Sequence, residues 1–396
     1  MKTMRMFETR GLILILGAVL GIGVGIGFAP AAFAQNAVIV NPDGKVTYVD
    51  FNVSTSGIND WGQVAGASVS RDDNTHAFIT GPNGKGMIDL GTLDGKYSIA
   101  TGINNSGQAV GYSKTKELDS DRIPVNHAFI TGPDGKGMTD LGTLGLSSFA
   151  EGINDSGQVA GTSYGKGHEP HAFITGPNGK GMTDLGAWSI GQNINDSGQV
   201  VGYRYIEEGR LAFITGPDGK GMTDLDTLGG AVSYAADVNE SGQVVGFSTI
   251  VDSYPYLFHA FITGPNGKGV IDLGTLGGAQ SLAFGINESG QVVGYSETAD
   301  GSHHAFITGP NGQGMIDLNS YADLPEGYFL TRPPNINTST LDINNQGQVL
   351  AYVSNVPVPP YPRARILRLD ASRVGFGRVH GAGEEGGDQY RCARLK

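Results

Sequence analysis

The chain has 396 residues, a net charge of −12, a single cysteine and 64 glycines. The acidic balance argues against a surface that follows nucleic-acid phosphates, because such a surface needs clustered positive charge. One cysteine, Cys392, excludes an intramolecular disulfide. Each glycine inside a helix costs about 1 kcal/mol relative to alanine, so the glycine content predicts short strands and tight turns.

The first 34 residues have the pattern of a secretory signal peptide. Lys2, Arg5 and Arg10 provide a basic start, an apolar run extends over 12–28, and Ala32-Phe33-Ala34 supplies the small-x-small pattern that precedes cleavage. A retained membrane anchor is the alternative, although the run is Gly-rich and short for a span of roughly 20 residues. We therefore expect a secreted protein, extracellular or periplasmic, with no membrane span after cleavage.

A segment of the form Ile-Asn-x-x-Gly-Gln, or a close variant, recurs seven times along the chain. The spacings between copies are 41 to 57 residues, and a period of this size marks a repeat architecture. The asparagines of the seven copies are Asn59, Asn104, Asn154, Asn195, Asn239, Asn287 and Asn344.

Each repeat contains two hairpins, as residues 97–141 illustrate. Strand-like runs at 98–103 and 108–113 are joined by Asn104-Asn105-Ser106-Gly107, where the Asn side chain can form an Asx turn and the Gly can adopt the left-handed conformation. Runs at 127–131 and 138–142 are joined by a turn centred on Asp134-Gly135, which requires positive φ at both residues. The same turn recurs at Asn83-Gly84, Asn178-Gly179, Asp218-Gly219, Asn266-Gly267 and Asn311-Gly312.

The strands lack a clean alternation of apolar and polar residues. Consecutive apolar residues, such as Ala77-Phe78-Ile79 and Val200-Val201, suit sheets that are buried on both faces. Four short strands per repeat, wedged between neighbouring sheets, are typical of a β-propeller, with a linear β-solenoid as the alternative. We predict an all-β fold over 35–370, a seven-bladed β-propeller of four-stranded antiparallel blades.

The two ends of the repeat region indicate how the ring closes. Residues 37–51 are similar to the second hairpin of a repeat, whereas the last repeat, around Asn344, offers a first hairpin and one further strand at 366–369. We predict that N-terminal strand material completes the last blade, which leaves no free sheet edge at the seam. Which strand is innermost stays open. Residues 371–396 are Gly-rich and polar, and we expect a disordered tail.

Two further motifs accompany the repeats. A His-Ala-Phe triplet precedes the tight turn, with Leu211-Ala212-Phe213 as a degenerate copy, and Asp-Leu-Gly-Thr-Leu or a variant follows it. Together with Ile-Asn-x-x-Gly-Gln-Val-Val-Gly, these motifs make most of 37–369 similar to the HAF family of bacterial extracellular repeats. That resemblance implies export and a β-propeller-like repeat, and it implies no activity. The histidines are His76, His127, His171, His259 and His304, and the aspartates are Asp89, Asp140, Asp184, Asp224, Asp272 and Asp317.

The tight turn predicts that His76 and Asp89 lie within side-chain reach, with His76 opposite Gly91. Such pairs are either a ring of metal or acid-base sites or hydrogen bonds that tie each blade together. Loss of the histidine at Leu211 without loss of Asp224 favours the structural interpretation.

Other signatures of chemistry are weak or absent. The chain has no zinc motif. The Gly-x-Ser-x-Gly pattern around Ser163 matches that of esterases, but this serine occupies a repeat position, so we do not interpret it as a nucleophile. We predict no catalytic residue, no metal and no cofactor.

The connections opposite the tight turns vary in length and share one rim, with long ones at 114–126, 249–258 and 319–337. Variable loops on a rigid scaffold are where binding usually occurs. Aromatic and polar side chains predicted on this rim suit stacking on sugars or gripping a peptide, unless they pack over the loops. The candidate binding residues are Trp188, Tyr205, His168, Glu169, Tyr254 and Tyr256.

We therefore expect a non-catalytic binding or scaffold module for a glycan or for an envelope or matrix protein. One alternative is a propeller enzyme, a lyase or hydrolase, with a single site on the same rim. Another is a purely structural envelope protein. A unique set of perturbed acids near the channel would favour the enzyme, and His168 with Glu169 is the nearest approach to one in the sequence.

Overall fold

The computed structural model describes residues 36–49, 53–69, 74–118, 124–207, 209–250, 257–332 and 341–355. Several sequence predictions fall outside these residues. They are the signal peptide at 1–34, the strand at 366–369, the tail at 371–396, and the rim residues Tyr254 and Tyr256.

The described residues form 29 β-strands and seven short 3₁₀ turns, with no α-helix among them. The strands are β1 (Asn36–Val40), β2 (Val46–Val49), β3 (Val53–Ile58), β4 (Val64–Val69), β5 (Thr75–Thr80), β6 (Met87–Gly91), β7 (Ser98–Ile103), β8 (Ala109–Leu118), β9 (Pro124–Thr131), β10 (Met138–Asp140), β11 (Ser148–Ile153), β12 (Val159–Tyr164), β13 (Pro170–Gly176), β14 (Lys180–Ala187), β15 (Ser189–Ile194), β16 (Val200–Ile206), β17 (Gly209–Thr215), β18 (Met222–Asp224), β19 (Ser233–Val238), β20 (Val244–Thr249), β21 (Phe258–Thr263), β22 (Val270–Asp272), β23 (Gly277–Ile286), β24 (Val292–Thr298), β25 (His303–Thr308), β26 (Met315–Asp317), β27 (Phe329–Leu330), β28 (Asp342–Ile343) and β29 (Val349–Ser354). The 3₁₀ turns are Pro82–Gly84, Pro133–Gly135, Pro177–Gly179, Pro217–Gly219, Pro265–Gly267, Pro310–Gly312 and Leu318–Ser320.

The strands pair into seven antiparallel sheets, which confirms the seven-bladed β-propeller. Blades 1 to 6 each use four consecutive strands, starting with β3–β6 as blade 1 and ending with β23–β26 as blade 6. Blade 7 combines β28 and β29 with the N-terminal β1 and β2, and β27 adds a short fifth strand to its sheet.

The first strand of each blade is innermost. Strands β3, β7, β11, β15, β19, β23 and β28 contact one another in that order, and β28 contacts β3. The first strands therefore form a closed circle around the axis, which answers the question that the sequence left open.

The seam lies inside blade 7, as predicted. β1 pairs with β29 through Val38↔Ala351 and its neighbours, and with β2 through Val38↔Tyr48. The last blade therefore takes its two inner strands from the end of the repeat region and its two outer strands from the beginning. Because strands from the two ends of the repeat region pair within one sheet, no sheet edge is left unpaired at the seam.

The core consists of layers between neighbouring blades. One layer packs Val110 and Ile130 of blade 2 against Val159 and Phe173 of blade 3. The next repeats this arrangement between blades 3 and 4, with Phe213 in the place of Phe173. Each sheet is thus buried on both faces, which explains the consecutive apolar residues in its strands.

The tight turns have the predicted backbone. Asp134 has φ 54° and Gly135 has φ 70°, and the same signs hold at all six turns of this kind. The predicted register is correct for Phe78↔Asp89, but the prediction that His76 opposes Gly91 is wrong. A bulge opposite the step from Ala77 to Phe78 adds Leu90 to β6, so that Gly91 pairs with Ala77. The connection 114–126 also differs, because β8 and β9 extend into it and form a longer hairpin.

Candidate functional site

The two rims of the propeller differ in how completely their polar groups are bonded. We call the rim that carries the Asn-x-x-Gly-Gln turns and the tight turns the turn rim, and the opposite rim the loop rim.

The repeat asparagines form a closed hydrogen-bonded ring on the turn rim. The Nδ2 of Asn59 donates to the carbonyl oxygen of Asn104 in the next blade at 3.0 Å, and this contact repeats around the axis until Asn344 donates to the carbonyl of Asn59 at 2.8 Å. Every ring asparagine is at most 4% exposed. The Nδ2 of each asparagine also donates to the Oε1 of the glutamine four residues later, and its Oδ1 accepts a hydrogen bond from the main-chain amide of that glutamine.

A second ring surrounds the first. The residue after each ring asparagine donates its amide to a side-chain oxygen of the equivalent residue in the next blade. The members are Asp60, Asn105, Asp155, Asp196, Glu240, Glu288 and Asn345. The tight turns fold onto the same surface, since the Gly84 amide donates to the Gly62 carbonyl at 2.8 Å. The turn rim thus satisfies many of its polar groups internally.

The structure brings together the predicted histidine and aspartate of each repeat. The Nδ1 of His76 lies 3.0 Å from Asp89, and the other four pairs are joined at 2.7 to 2.8 Å. The aspartate also accepts a backbone amide two residues later, as Asp140 does from Gly142 at 2.7 Å. Both partners are thus engaged on the outer two strands of the blade, which supports the structural interpretation.

Blade 4 replaces the histidine with a different cation. Leu211 stands where blades 1, 2, 3, 5 and 6 have histidine, and Arg204 stands opposite it, where those blades have serine. The guanidinium of Arg204 binds both carboxylate oxygens of Asp224. The two departures from the repeat therefore compensate each other.

Ser163 is the penultimate residue of β12 and is fully buried. Its Oγ accepts the amide of Leu144 at 2.8 Å and donates to the carbonyl of Ser147 at 3.2 Å. Ser113 makes the same two kinds of contact in blade 2. This geometry is not the strand-to-helix elbow of an esterase nucleophile.

Two of the predicted binding residues are neighbours on the loop rim. Trp188 links blades 3 and 4 in a left-handed conformation with φ 62°, and its side chain is 58% exposed. Its carbonyl accepts the amide of Tyr205 at 2.8 Å. The Tyr205 ring is partly buried and carries the guanidinium of Arg210 at 5.0 Å.

His168 and Glu169 lie in the turn between β12 and β13 on the same rim, and His168 is left-handed at φ 65°. The carboxylate of Glu169 points to His171 instead of His168, with 3.7 Å between Oε1 and Nε2. Glu117 contacts His127 in the same way in blade 2. The structure therefore does not combine His168 and Glu169 into one site.

The loop-rim end of the propeller contains an arc of aromatic rings that the sequence analysis did not assemble. Between blades 2 and 3, Tyr97 lies 6.3 Å from Tyr112, Tyr112 lies 4.9 Å from Phe149, and Phe149 lies 6.0 Å from Tyr164. These four rings are partly buried. The arc continues through blades 4 to 6 with mostly buried rings.

Three acids on or beside the innermost strands have raised pKa values. Burial raises the pKa of Asp237 to about 7 and that of Asp342 to about 6. Both are hydrogen-bonded: Asp237 accepts the amide of Ile286 in the next blade at 2.8 Å, and Asp342 accepts that of Ile58 at 3.0 Å. These two carboxyl groups bridge adjacent blades.

Glu151 is different, because burial raises its pKa to about 8 and no hydrogen bond or ion pair reaches its carboxyl from the described residues. It is enclosed by protein on most sides but keeps some accessible surface. Glu151 is the extra residue of a bulge in β11, between Ala150 and Gly152. Bulges re-aim side chains and are frequent beside functional sites.

The same bulge occurs in blades 1 to 6, and its residue varies freely. The six bulge residues are Ser56, Thr101, Glu151, Gln192, Ala236 and Phe284. Glu151 is the acid among them. A charged residue at a position that is uncharged in the other five blades was the signal in the sequence, and it revises the expectation that His168 with Glu169 is the nearest approach to a unique acidic site.

The described part of the chain lacks two further features, a cluster of metal ligands and a membrane-spanning helix. It contains no group of three or more His, Cys, Asp or Glu side chains placed to hold a metal ion. Nor does any helix within it have the length and apolar character needed to cross a bilayer.

No protein-family model matches the chain, and no curated protein matches it either. Solved structures do. A putative TolB from Agrobacterium tumefaciens is 12% identical with a TM-score of 0.47, covering 83% of this chain and 100% of that one.

The propeller domain of the Trilobed protease from Pyrococcus furiosus is 12% identical with a TM-score of 0.48, covering 78% of this chain and 97% of that one. An oligogalacturonate lyase from Vibrio parahaemolyticus is 9% identical with a TM-score of 0.46, covering 81% and 97%. These weak similarities concern propeller proteins and carry no argument about what this chain binds.

Proposed function

We propose that this protein is an exported, non-catalytic binding module of the HAF-type repeat class, and that its loop rim holds a glycan or an envelope or matrix protein. The observation that carries the proposal is the contrast between the rims. Around the axis the turn rim bonds its amides and side chains to one another, whereas the loop rim presents Trp188 and partly buried tyrosines to solvent.

The chemistry of the loop rim supports a ligand with flat apolar faces and polar edges. Trp188 is 58% exposed beside Tyr205, and exposed aromatic rings stack well on sugars and on peptide side chains. The turn rim also exposes a tryptophan, Trp61, but its indole nitrogen donates to the Asn105 carbonyl at 3.0 Å, whereas no hydrogen bond from the described residues reaches the side chain of Trp188. The basic start and apolar run of the first 34 residues, which have the pattern of a signal peptide, support export.

A glycan array probed with the purified protein tests the proposal. Binding that persists in Trp61→Ala and is lost in Trp188→Ala would support it. Trp61 is a matched control, because it is 62% exposed on the turn rim. Binding that survives Trp188→Ala unchanged would overturn the assignment to the loop rim. If no glycan binds, the envelope or matrix protein becomes the partner to test, by cross-linking from position 188.

Glu151 favours one alternative, a loop-rim enzyme with a single general acid. A carboxyl group with a pKa of about 8 is protonated at neutral pH and can donate a proton. Glycoside hydrolysis, however, needs a second carboxyl within about 5 to 10 Å, and no other acid contributes to the pKa of Glu151. Turnover of any array ligand, abolished by Glu151→Gln, would establish the enzyme in place of the binding module.

A further inference from the structure

We propose that the loop-rim end of the interface between blades 2 and 3, which we call the cleft, binds an organic ammonium group, held by the carboxylate of Glu151 and the rings of Tyr112, Phe149 and Tyr164. This inference deepens the proposed function and rests on it, because it names the chemical group that the loop rim would recognise. An amino sugar of a glycan and a lysine side chain of a protein are two sources of that group.

The carboxyl of Glu151 has no hydrogen-bond or ion-pair partner among the described residues. Asp237 and Asp342, the other enclosed acids near the axis, each accept backbone amides. Glu151 accepts none from the described residues and pairs with no cation among them. Buried polar groups in native proteins are nearly always bonded, so a carboxyl that is open at one side and unbonded is poised for a partner from outside.

Cationic side chains lie over rings on either side of the middle section of the aromatic arc. At one end the ammonium of Lys114 lies 5.2 Å from the ring centre of Tyr97. Towards blade 5, the guanidinium of Arg210 lies 5.0 Å from Tyr205 and 5.8 Å from Tyr234. Between them, Tyr112, Phe149 and Tyr164 carry no such cation in the described structure. Aromatic faces attract cations, and the carboxyl of Glu151 lies in this middle section.

The repeat fixes the position of the Glu151 side chain. In blade 6 the ring of the bulge residue, Phe284, lies 6.2 Å from that of Phe247 in the preceding blade. Glu151 occupies the same bulge position in blade 3, and Tyr112 occupies the position of Phe247 in blade 2, so the Glu151 side chain is directed at the Tyr112 ring. Burial is the largest cause of the raised pKa values of Tyr112 and Tyr164, and the charge of Glu151 contributes to both. The strands packed against β11 are β7, β8, β9, β12 and β15. Of these, β7 and β15 carry no titratable residue, and β12 contributes Tyr164.

The remaining charges on the two other strands lie elsewhere. On β8, Tyr112 faces the cleft, while the exposed Lys114, Lys116 and Glu117 follow towards the rim. On β9, His127 is bonded to Asp140 at 2.8 Å. Neither lysine forms an ion pair with Glu151 in the described residues, so the carboxyl remains available to a ligand.

An organic cation fits better than a metal ion. Calcium and magnesium require six or more oxygen ligands, and the cleft offers one carboxyl group among apolar ring faces. The described residues hold no cluster of three metal-ligating side chains. Aromatic ring faces and a single carboxylate together attract organic ammonium groups.

Calorimetric titration with choline tests the proposal, and 3,3-dimethylbutan-1-ol serves as the neutral probe of the same shape. Choline should bind at least about tenfold more tightly than the alcohol. Because Glu151 must lose its proton to pair with the cation, choline affinity should rise about tenfold between pH 7 and pH 9. Proton release should appear as a dependence of the measured heat on the buffer.

The Glu151→Gln variant should lose the charge preference and the pH dependence together. Glu288→Gln is the matched control, since Glu288 is also an acid with a raised pKa, mainly through burial, but lies on the turn rim. It should bind choline like the wild type. Tyr164→Leu should weaken choline several-fold and the alcohol less, which would separate the ring contact from the charge.

Two paired probes distinguish the sources of the ammonium group. A chitosan oligomer is compared with its fully acetylated form, and a lysine peptide with its acetyl-lysine form. Equal affinity for charged and neutral probes, full choline affinity in Glu151→Gln, or no binding of any cation would overturn this site. Array binding that needs Trp188 but ignores Glu151→Gln would reject the ammonium site and leave the proposed function standing.

Discussion

Removal of one ring asparagine should cost a large part of the stability of the protein. Asn154 is 4% exposed. Its Nδ2 donates to Gln158 Oε1 at 2.8 Å and to the Asn195 carbonyl of the next blade at 3.0 Å, and its Oδ1 accepts the Gln158 amide at 2.9 Å. Asn154→Ala leaves these partner groups unbonded, at about 1 to 3 kcal/mol each before any entering water compensates. We expect a loss of about 3 to 5 kcal/mol.

Equilibrium unfolding in urea, followed by circular dichroism, measures this loss. Asp155→Ala is the control, because Asp155 follows in the same turn but is exposed, so water can replace the hydrogen bond that it accepts from the Asn105 amide and the loss should be about 1 kcal/mol. Asn344→Ala should cost as much as Asn154→Ala, since Asn344 closes the ring onto Asn59. Equal losses for Asn154→Ala and Asp155→Ala would refute the reasoning, and a clearly smaller loss at Asn344 would refute the closure.

Three further predictions follow from the same structure. Glu151→Gln should stabilise the protein progressively as pH rises. Burial raises the pKa of Glu151 in the folded state from 4.5 to about 8, so the wild type loses stability between these two pH values. Unfolding measured at pH 5 and pH 9 should show a gain of about 2 to 4 kcal/mol at the higher pH, and a gain independent of pH would contradict the assignment. Arg204→Ser should cost about 1 kcal/mol by exposing Asp224 without its partner, and adding Leu211→His should recover most of it in a double-mutant cycle; additive losses would show that the two positions do not compensate. Gly135→Ala should destabilise the protein by about 1 to 2 kcal/mol more than Gly137→Ala. Both glycines have φ near 70°, but only at Gly135 would the new Cβ lie 2.6 Å from Leu90 Cδ2. Equal melting temperatures for the two variants would contradict the packing argument.

Much of the fold was predictable because the information is local and repeated. Asn104 and Gly107 specify a turn by their own conformational preferences, and Asp134-Gly135 specify the hairpin that follows. Seven copies of that pair of hairpins then allow few architectures. The seam was predictable for the same reason, because 37–51 repeats the outer hairpin that the last blade lacks.

The rest depends on contacts between blades, which periodicity does not encode. The Nδ2 of Asn59 donates one hydrogen bond within its own turn, to Gln63, and the acceptor of its second hydrogen bond, the carbonyl of Asn104, lies in the neighbouring blade. The bulge that opposes Ala77 to Gly91 depends on packing in three dimensions. Glu151 could have been singled out as the charged residue among the six bulge positions, but its burial depends on the strands of the neighbouring blade that pack against β11.

The central claim is that a ligand contacts the loop rim and leaves the turn rim untouched. The chain has two tryptophans, Trp61 on the turn rim and Trp188 on the loop rim, and they are 62% and 58% exposed. Fluorescence titration of Trp61→Phe and Trp188→Phe with a glycan from the array therefore reports each rim separately. We predict a change in emission from Trp188 and none from Trp61. A ligand-dependent change from Trp61 alone would contradict the account.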